Sequence, residues 1–294
     1  MGIFGVNGME KTTHIKKTPG RIAARVAIYF VLVVTAVSTI FPYMWMVLAS
    51  FKTGLEITTY PEQIFPENPS FAAYADAFGK LKLGTGLKNT LALEVFSVFF
   101  PPLVSALGAF SFAKLELPCR RVLLLTLLSS MMIPYAALML PQYQIWQSLG
   151  LVSTLWPLII PTFFGGALMT FFFVQYMQGV PNELFEAAKL DGAGYVRQFF
   201  AICLPLIKPA LTAQIVFSFV GTWNDYFIPS IYLDKSEVKT IQLQLLSLQM
   251  QQNNLMDMNV VMAGSVLSSI PMLAVFIFCQ KFFIESLAIT GIKG

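Results

Sequence analysis

Few side chains in this 294-residue sequence could do chemistry, and their spacing discards most kinds of it. The one histidine, His14, lies in a polar stretch near the start. Cys119, Cys203 and Cys279 are too far apart for any metal or redox motif, so they read as small apolar packing residues. A lone imidazole supports neither a His-based zinc site nor a Ser–His–Asp triad, and the apolar stretches hold no paired aspartates for intramembrane proteolysis. No Gly-x-x-x-x-Gly-Lys-Ser/Thr loop is present to cradle a nucleotide phosphate. Two acidic residues stand out because their surroundings are apolar. Glu94 lies about four residues, hence about 6 Å, inside one apolar stretch, and Asp225 lies near the end of another. Beside Asp225 are Trp223, Asn224 and Tyr226, an aromatic and amide cluster able to stack on and hydrogen-bond a polyhydroxylated ligand. Gln142, Tyr143, Gln144 and Trp146 make a second such cluster. Either could equally be an interfacial aromatic belt with capping amides.

The elements that position these residues follow from composition. Hydrophobic residues make up 56% and charged residues 12%, about half the charge of a soluble domain. Such a chain cannot coat a globular surface with ions, which excludes a soluble enzyme, a disordered chain and a nucleic-acid binder. A spanning helix needs about 20 mostly apolar residues. Six stretches qualify: 27–48, 90–112, 122–140, 155–174, 210–231 and 260–280. They are too long, and too continuously apolar, for strands of a lipid-facing barrel. The expected fold is therefore an all-α integral membrane bundle of six transmembrane helices. Pro42, Pro101, Pro102, Pro134, Pro157, Pro161, Pro229 and Pro271 are expected to kink them. The first stretch is too long for a signal-peptide core and no small-x-small site follows it, so it reads as a retained anchor. Gly165, Gly166, Ala106, Gly108, Ala109 and Ala113 are small enough for close helix packing.

The chain thus divides into a cytoplasmic tail (1–26), a first span (27–48), an outer loop (49–89), a five-span core (90–280) and a cytoplasmic C-terminal tail (281–294). Thirteen of the nineteen Lys and Arg residues fall on the side of the two tails, which predicts both termini inside. The inner loop 175–209 is longer than a connection requires. Pro181 suits a first helical turn, Glu183 and Glu186 suit the positive dipole end, and Gly192 and Gly194 permit a sharp turn. Leu184, Ala187, Ala188 and Asp191 are spaced to share one shallow face. A second amphipathic stretch runs from Tyr195 to about Leu204, and Pro205 and Pro209 lead back to the membrane. The loop reads as a helix–turn–helix knob that transmits force to a soluble partner.

Within it, Glu186-Ala187-Ala188, three residues, Gly192, nine residues, Ile202, one residue and Leu204-Pro205 resemble the EAA motif of binding-protein-dependent ABC importer permeases. Ser50-Phe51-Lys52-Thr53, the segment 221–227 and the ending 282–294 are similar to permeases of carbohydrate importers, nearest the G-type subunit of maltose-type systems. The resemblance covers 21–294. It implies a type I ABC importer permease fold in which the first span is an added arm. It assigns Glu186, Ala187, Ala188, Asp191, Gly192, Ile202, Leu204 and Pro205 to a coupling helix seated in a cleft of the ATPase. Implied partners are a second related permease, two ATPase subunits that bind ATP and Mg, and an extracytoplasmic solute-binding protein. The implied setting is a prokaryotic cytoplasmic membrane, with no cofactor in this chain, and the implied substrate is a sugar, an oligosaccharide or a glycerol-phosphate-like compound. Candidate pathway residues are Glu94, Trp223, Asn224, Asp225 and Tyr226. The alternative is an ion-coupled secondary transporter, for which Glu94 would be the sole intramembrane relay.

Overall fold

The computed structural model describes residues 19–80, 82–250 and 257–291, with side chains placed between 24 and 280. His14, most of the N-terminal tail, the 282–294 side chains and residues 251–256 lie outside that range. All described regular structure is helical. In chain order the helices are α1 (Pro19–Ala49), α2 (Gly54–Thr59), α3 (Ala72–Gly79), α4 (Leu83–Lys114), α5 (Arg120–Ser129), α6 (Tyr135–Ser148), α7 (Trp156–Ile159), α8 (Ala167–Gln178), α9 (Glu183–Leu190), α10 (Tyr195–Gln198), α11 (Leu204–Leu206), α12 (Lys208–Asn224), α13 (Phe227–Tyr232), α14 (Ile241–Met250) and α15 (Met258–Gly291). Four stretches are long and apolar enough to cross a membrane unaided: Ala24–Ala49, Leu83–Lys114, Trp156–Gln178 and Met258–Gln280. Two more qualify only as bent pairs, Arg120–Met132 with Tyr135–Ser148 at 88° and Tyr195–Leu206 with Lys208–Asn224 at 81°.

The bends have local causes. Pro134 has no N–H to continue a helix, and it holds Ile133 in an extended conformation (ψ 114°) after a 3-10 turn at Ser130–Met132. The stretch expected to span at 122–140 is therefore broken near its middle. The fourth stretch is also interrupted. A 3-10 segment, Ile160–Phe164, ends at Gly165, whose φ of +71° suits glycine, and α8 starts two residues later. A Cβ on Gly165 would come within 2.7 Å of Ser105 Oγ, so α4 also approaches too closely for a side chain here. The same Ser105 hydroxyl accepts the Gly166 N–H at 2.9 Å, satisfying a group freed by the break. The prolines serve two purposes. Pro42, Pro101, Pro102 and Pro271 lie inside helices. Pro134, Pro157 and Pro161 instead mark helix starts.

Helix α4 is the spine. It is about 48 Å long at 1.5 Å per residue, longer than the hydrocarbon core, and packs against α8, α12 and α14. Near its end, Ala106 and Ala109 are fully buried and let α8 come close. There Phe110, Phe173, Phe199 and Met177 fill one core cluster. A second cluster, at the other end, packs Leu83 and Ala77 with Trp223, Ile241 and Val260. The loop before α4, expected on the outer side, is more than a solvated connection. It folds into α2, capped by a reciprocal box between Thr53 and Glu56, and α3, which packs on α15. Lys80 ties this cap to α15 through Asp257 at 2.7 Å and also pairs with Asp76 at 3.2 Å. Helix α1 differs from the rest: its apolar side chains are exposed, and it joins the bundle only near its end, where Tyr43 bonds Ser269 at 3.0 Å.

Candidate functional site: a capped helical knob and a second cavity

Helix α9 projects beyond the end of α4 and is seated by its own sequence. Phe185 and Ala188 turn inward, and the Phe185 ring packs at a tilt on Phe110 with ring centroids 5.9 Å apart. Glu183, Leu184, Glu186, Ala187, Lys189 and Leu190 remain exposed. Leu190 is 90% exposed, an apolar side chain with nothing of its own chain to cover it. The last residue of α4 holds the entrance. Lys114 Nζ donates to Val180 O at 2.6 Å and Asn182 Oδ1 at 2.8 Å, and lies 5.2 Å from the centre of the Phe185 ring.

The exit of α9 is a Schellman turn. Ala193 N donates to Ala188 O at 2.9 Å and Gly192 N to Lys189 O at 3.0 Å. Gly192 has φ +79°, which this turn requires and which glycine adopts without strain. Gln198, buried, then clasps the turn by donating to Ala193 O at 2.7 Å. The chain re-enters the bundle through a π segment, Phe199–Cys203, whose Phe199 and Cys203 are fully buried. Wide turns of this kind recur at functional sites. An open cleft of about 700 Å³ lies beside the knob, edged by both signs of charge: Lys114, Arg120 and Lys189 with Glu116 and Glu186.

A second feature lies in the other half of the bundle. A half-open cavity of about 250 Å³ is lined by α4, α6, α7, the following 3-10 segment, α12 and α13. Its polar lining includes Tyr135, Gln142, Thr162, Thr222, Asp225 and Tyr232. Asp225 Oδ1 accepts the N–H groups of Phe227 at 2.9 Å and Ile228 at 3.1 Å, capping α13. Among the described residues no group of three or more His, Cys, Asp or Glu could hold a metal.

Residues 104–288 match the family described as binding-protein-dependent transport system inner membrane component. The arabinooligosaccharides transport system permease protein AraQ of Halalkalibacterium halodurans is 31% identical over 258 residues, 87% of this chain and 91% of that protein. The lactose transport system permease protein LacG of Rhizobium radiobacter is 30% identical over 263 residues, 88% and 93% of the two chains. The chain belongs to this inner-membrane transport family. Its fold is that of a solved bacterial ABC transporter involved in importing the acidic polysaccharide alginate: TM-score 0.78, 23% identity, covering 90% of this chain and 98% of that one.

In this inner-membrane component the residues of the EAA-like pattern divide into two groups. Glu186, Ala187, Asp191, Gly192 and Pro205 are exposed. Ala188 is buried, and Ile202 and Leu204 pack on the Phe110 cluster. The face expected from Leu184, Ala187, Ala188 and Asp191 is therefore split, because Ala188 sits on the flank that turns in with Phe185. Five residues of the pattern present a surface and three fix its foundation.

The candidate pathway residues also separate. Trp223 is fully buried, donates its indole N–H to Ser268 O at 2.9 Å and stacks on Phe219. It is a packing residue with no open ring face for a ligand. Asn224 bonds back to Val220 O, and Tyr226 is exposed. Asp225 alone of these four lines the cavity, together with Gln142 from the second cluster. Tyr143 stacks with Tyr232 at 6.3 Å, Trp146 packs in the same cluster, and Gln144 is exposed. Glu94 is buried one turn from Ser97, whose hydroxyl donates to Glu94 Oε2 at 3.3 Å, while Oε1 has no partner. Sequence reasoning missed Lys114, Gln198, Tyr135, Thr162, Thr222 and Tyr232. Lys114 carried no local signal: it ends an apolar helix 66 residues before Val180, and only the tertiary structure brings it to the knob. The others come together only through the bends.

Proposed function

We propose that this chain is a permease subunit of an ABC importer, forms part of the translocation pathway for a sugar or oligosaccharide, and couples to a separate ATPase through α9. The observation that carries it is the knob. An eight-residue helix with exposed Leu184, Ala187 and Leu190 is locked between a lysine clamp and a glycine turn, so it can transmit force without deforming. Glu186, Asp191, Gly192 and Pro205 would meet the ATPase; Ala188, Ile202 and Leu204 would hold their geometry. The relatives named for arabinooligosaccharides and lactose support a sugar as cargo. The family's dependence on a binding protein supports an extracytoplasmic solute-binding partner. The remaining partners are a second related permease and two ATPase subunits that hold ATP and Mg. The described stretches, taken with the positive-inside rule, support six spans with both termini cytoplasmic.

Glu94 lies 11 residues into α4, deeper than the sequence suggested because the helix starts at Leu83, and belongs to helix packing or to the pathway rim in this reading, since a single acid is a poor ion relay. The test is uptake of labelled arabinotriose, lactose, melibiose and raffinose by vesicles holding the whole importer, with ATP and the proton gradient varied independently. Uptake that needs ATP and the ATPase subunit, and survives collapse of the gradient, is expected. Gradient-driven uptake by this chain without nucleotide would overturn the reading.

A further inference from the structure

The cavity among α4, α6, α7, α12 and α13 has properties that coupling does not explain. Polar side chains are costly inside an apolar bundle unless they are paired. Here their mutual pairing is thin. Tyr232 Oη meets Gln142 Oε1 at 3.4 Å and Tyr135 Oη at 3.5 Å, both at the limit of a hydrogen bond. Thr162 donates to Ile159 O but keeps its lone pairs. Asp225 uses Oδ1 to cap α13, and Oδ2 makes no hydrogen bond within the described chain. Several hydroxyl, amide and carboxylate groups therefore hold unused bonding capacity around one space. The intervening wall is apolar, with Leu93, Leu158 and Ile228 among prolines.

A ligand that suits this lining must both donate and accept hydrogen bonds and must carry apolar patches. A sugar ring does both, through its hydroxyls and its C–H faces. Charge narrows the choice. Among the described residues the lining has one ionisable carboxylate, Asp225, and no Lys, Arg or His. An acidic sugar or a sugar phosphate would want a cationic fork and would meet a carboxylate instead. Size narrows it again: about 250 Å³ lies just under the range of about 300–1,000 Å³ typical of sites for drug-sized ligands, enough for one ring rather than a chain. Ser97 on this wall lies 17 residues before Lys114 on α4, about 25 Å from the knob.

We propose that this cavity binds a single ring of an uncharged sugar, so that this subunit holds the cargo itself during passage. The proposal rests on the reading of the chain as a sugar permease subunit. Its test uses the complete importer, purified with its ATPase, partner permease and binding protein. Leu158→Cys, in a Cys119→Ser, Cys279→Ser background, places a thiol on the apolar wall, and Cys203 stays buried. Its rate of labelling by a methanethiosulfonate reagent is followed with rising concentrations of the sugar that the wild-type importer takes up from the neutral panel, and with digalacturonate.

The neutral sugar is expected to slow labelling, and digalacturonate is expected not to. Adding Gln142→Leu or Thr222→Val should raise the half-protecting concentration about fivefold, the effect of one neutral hydrogen bond, and Thr222→Ser should restore it. Assembly with the ATPase is checked by co-purification, so that a folding defect is seen as such. No protection by a sugar that the importer transports overturns the site. Equal protection by digalacturonate overturns the charge selection. Failure of the wild-type importer to take up any sugar of the panel overturns the parent reading and this one with it.

Discussion

Gly192 offers the sharpest perturbation, because its surroundings isolate one physical effect. Its φ is +79°, yet a Cβ built there meets nothing within 4 Å. A substitution is therefore not a packing change; it is a backbone change alone. An ordinary L-residue in the left-handed region costs about 1–2 kcal/mol, and a β-branched residue more. Refusing that conformation also forfeits the two bonds that end α9, from Ala193 N and Gly192 N, each worth about 1 kcal/mol. A shift of 1–2 kcal/mol changes the population of a correctly turned knob about 5- to 30-fold. The expected order of coupled activity is Gly, then Asn, which tolerates this region, then Ala, then Val. The assay is ATPase co-purification together with ATP hydrolysis driven by loaded binding protein. Gly192→Val should lose both while membrane level and thermal stability of the bundle hold, since Phe110, Phe173 and Met177 are untouched. A Val variant that couples like the wild type would falsify the turn argument. So would an Asn variant as defective as Val.

Other substitutions test the supports. Lys114→Met should loosen the seat of α9 by about 1–2 kcal/mol, from hydrogen bonds of a charged but partly exposed donor, and weaken ATPase retention more than bundle stability. Trp223→Ala should cost about 3–5 kcal/mol of stability, seen as a lower unfolding temperature in detergent, whereas a role confined to ligand contact would leave that temperature unchanged. Exposed Cys119 should resist an impermeant thiol reagent on intact cells and Glu62→Cys should react; the reverse would invert the topology. Buried Cys203 reports nothing there. Lys80 is held above its ordinary pKa of 10.5, first by its bond to Asp257 and then by that to Asp76. Its stabilising contribution should be complete below pH 10.5 and fade as pH rises through the raised value. Lys80→Met should remove that pH dependence of unfolding.

What the sequence could and could not convey divides along the bends. Hydropathy located α1, α4 and α15 because each is long and apolar, and length is what a spanning helix must have. It placed the third stretch where a bent pair lies but treated it as one kinked helix; the fifth it started after the bend at Ile207, with the first limb expected as a separate amphipathic stretch. Pro134 was visible and its consequence was not. In a helix a proline either kinks or ends the element, and the choice depends on neighbours that only the tertiary structure supplies. The fifth stretch was expected to run to 231. It stops at Asn224 because Asp225 turns its carboxylate onto the next two exposed N–H groups and starts α13. The knob was legible in unusual detail, since caps and turns are written in local sequence. Gly192 landed where the spacing required a turn. The inward rotation of Ala188 was not legible, because Phe185, one turn earlier, sets which flank faces the bundle. The cavity was legible least. Tyr135, Thr162 and Tyr232 come from segments separated by 27 and 70 positions, and only the two bends bring them together.

The two features share their scaffolding, and this bears on how work done at one could reach the other. Helix α4 runs from Leu93 and Ser97 on the cavity wall to Phe110 and Lys114 at the knob. Helix α12 starts at the bend that follows the knob and ends at Thr222 and Asp225 in the cavity. Packing differs at the two ends. Around Phe110 the fit is tight, with alanines at zero exposure and four aromatic rings locked together. Around the cavity, polar contacts are stretched to 3.4–3.5 Å and space remains. A displacement of α9 has little room to dissipate in the close-packed end, because such interiors transmit strain. Its natural outlet is the loose end, where a small change of angle between α4 and α12 alters the distance between Ser97 and Asp225. Coupling of this kind requires that the two ends have two discrete arrangements. The measurement that decides it is the Ser97–Asp225 separation, read with spin labels, with and without ATP bound to the partner ATPase. A distance that stays fixed while the ATPase closes would mean that α4 and α12 move as one body and that the cavity is opened by another element.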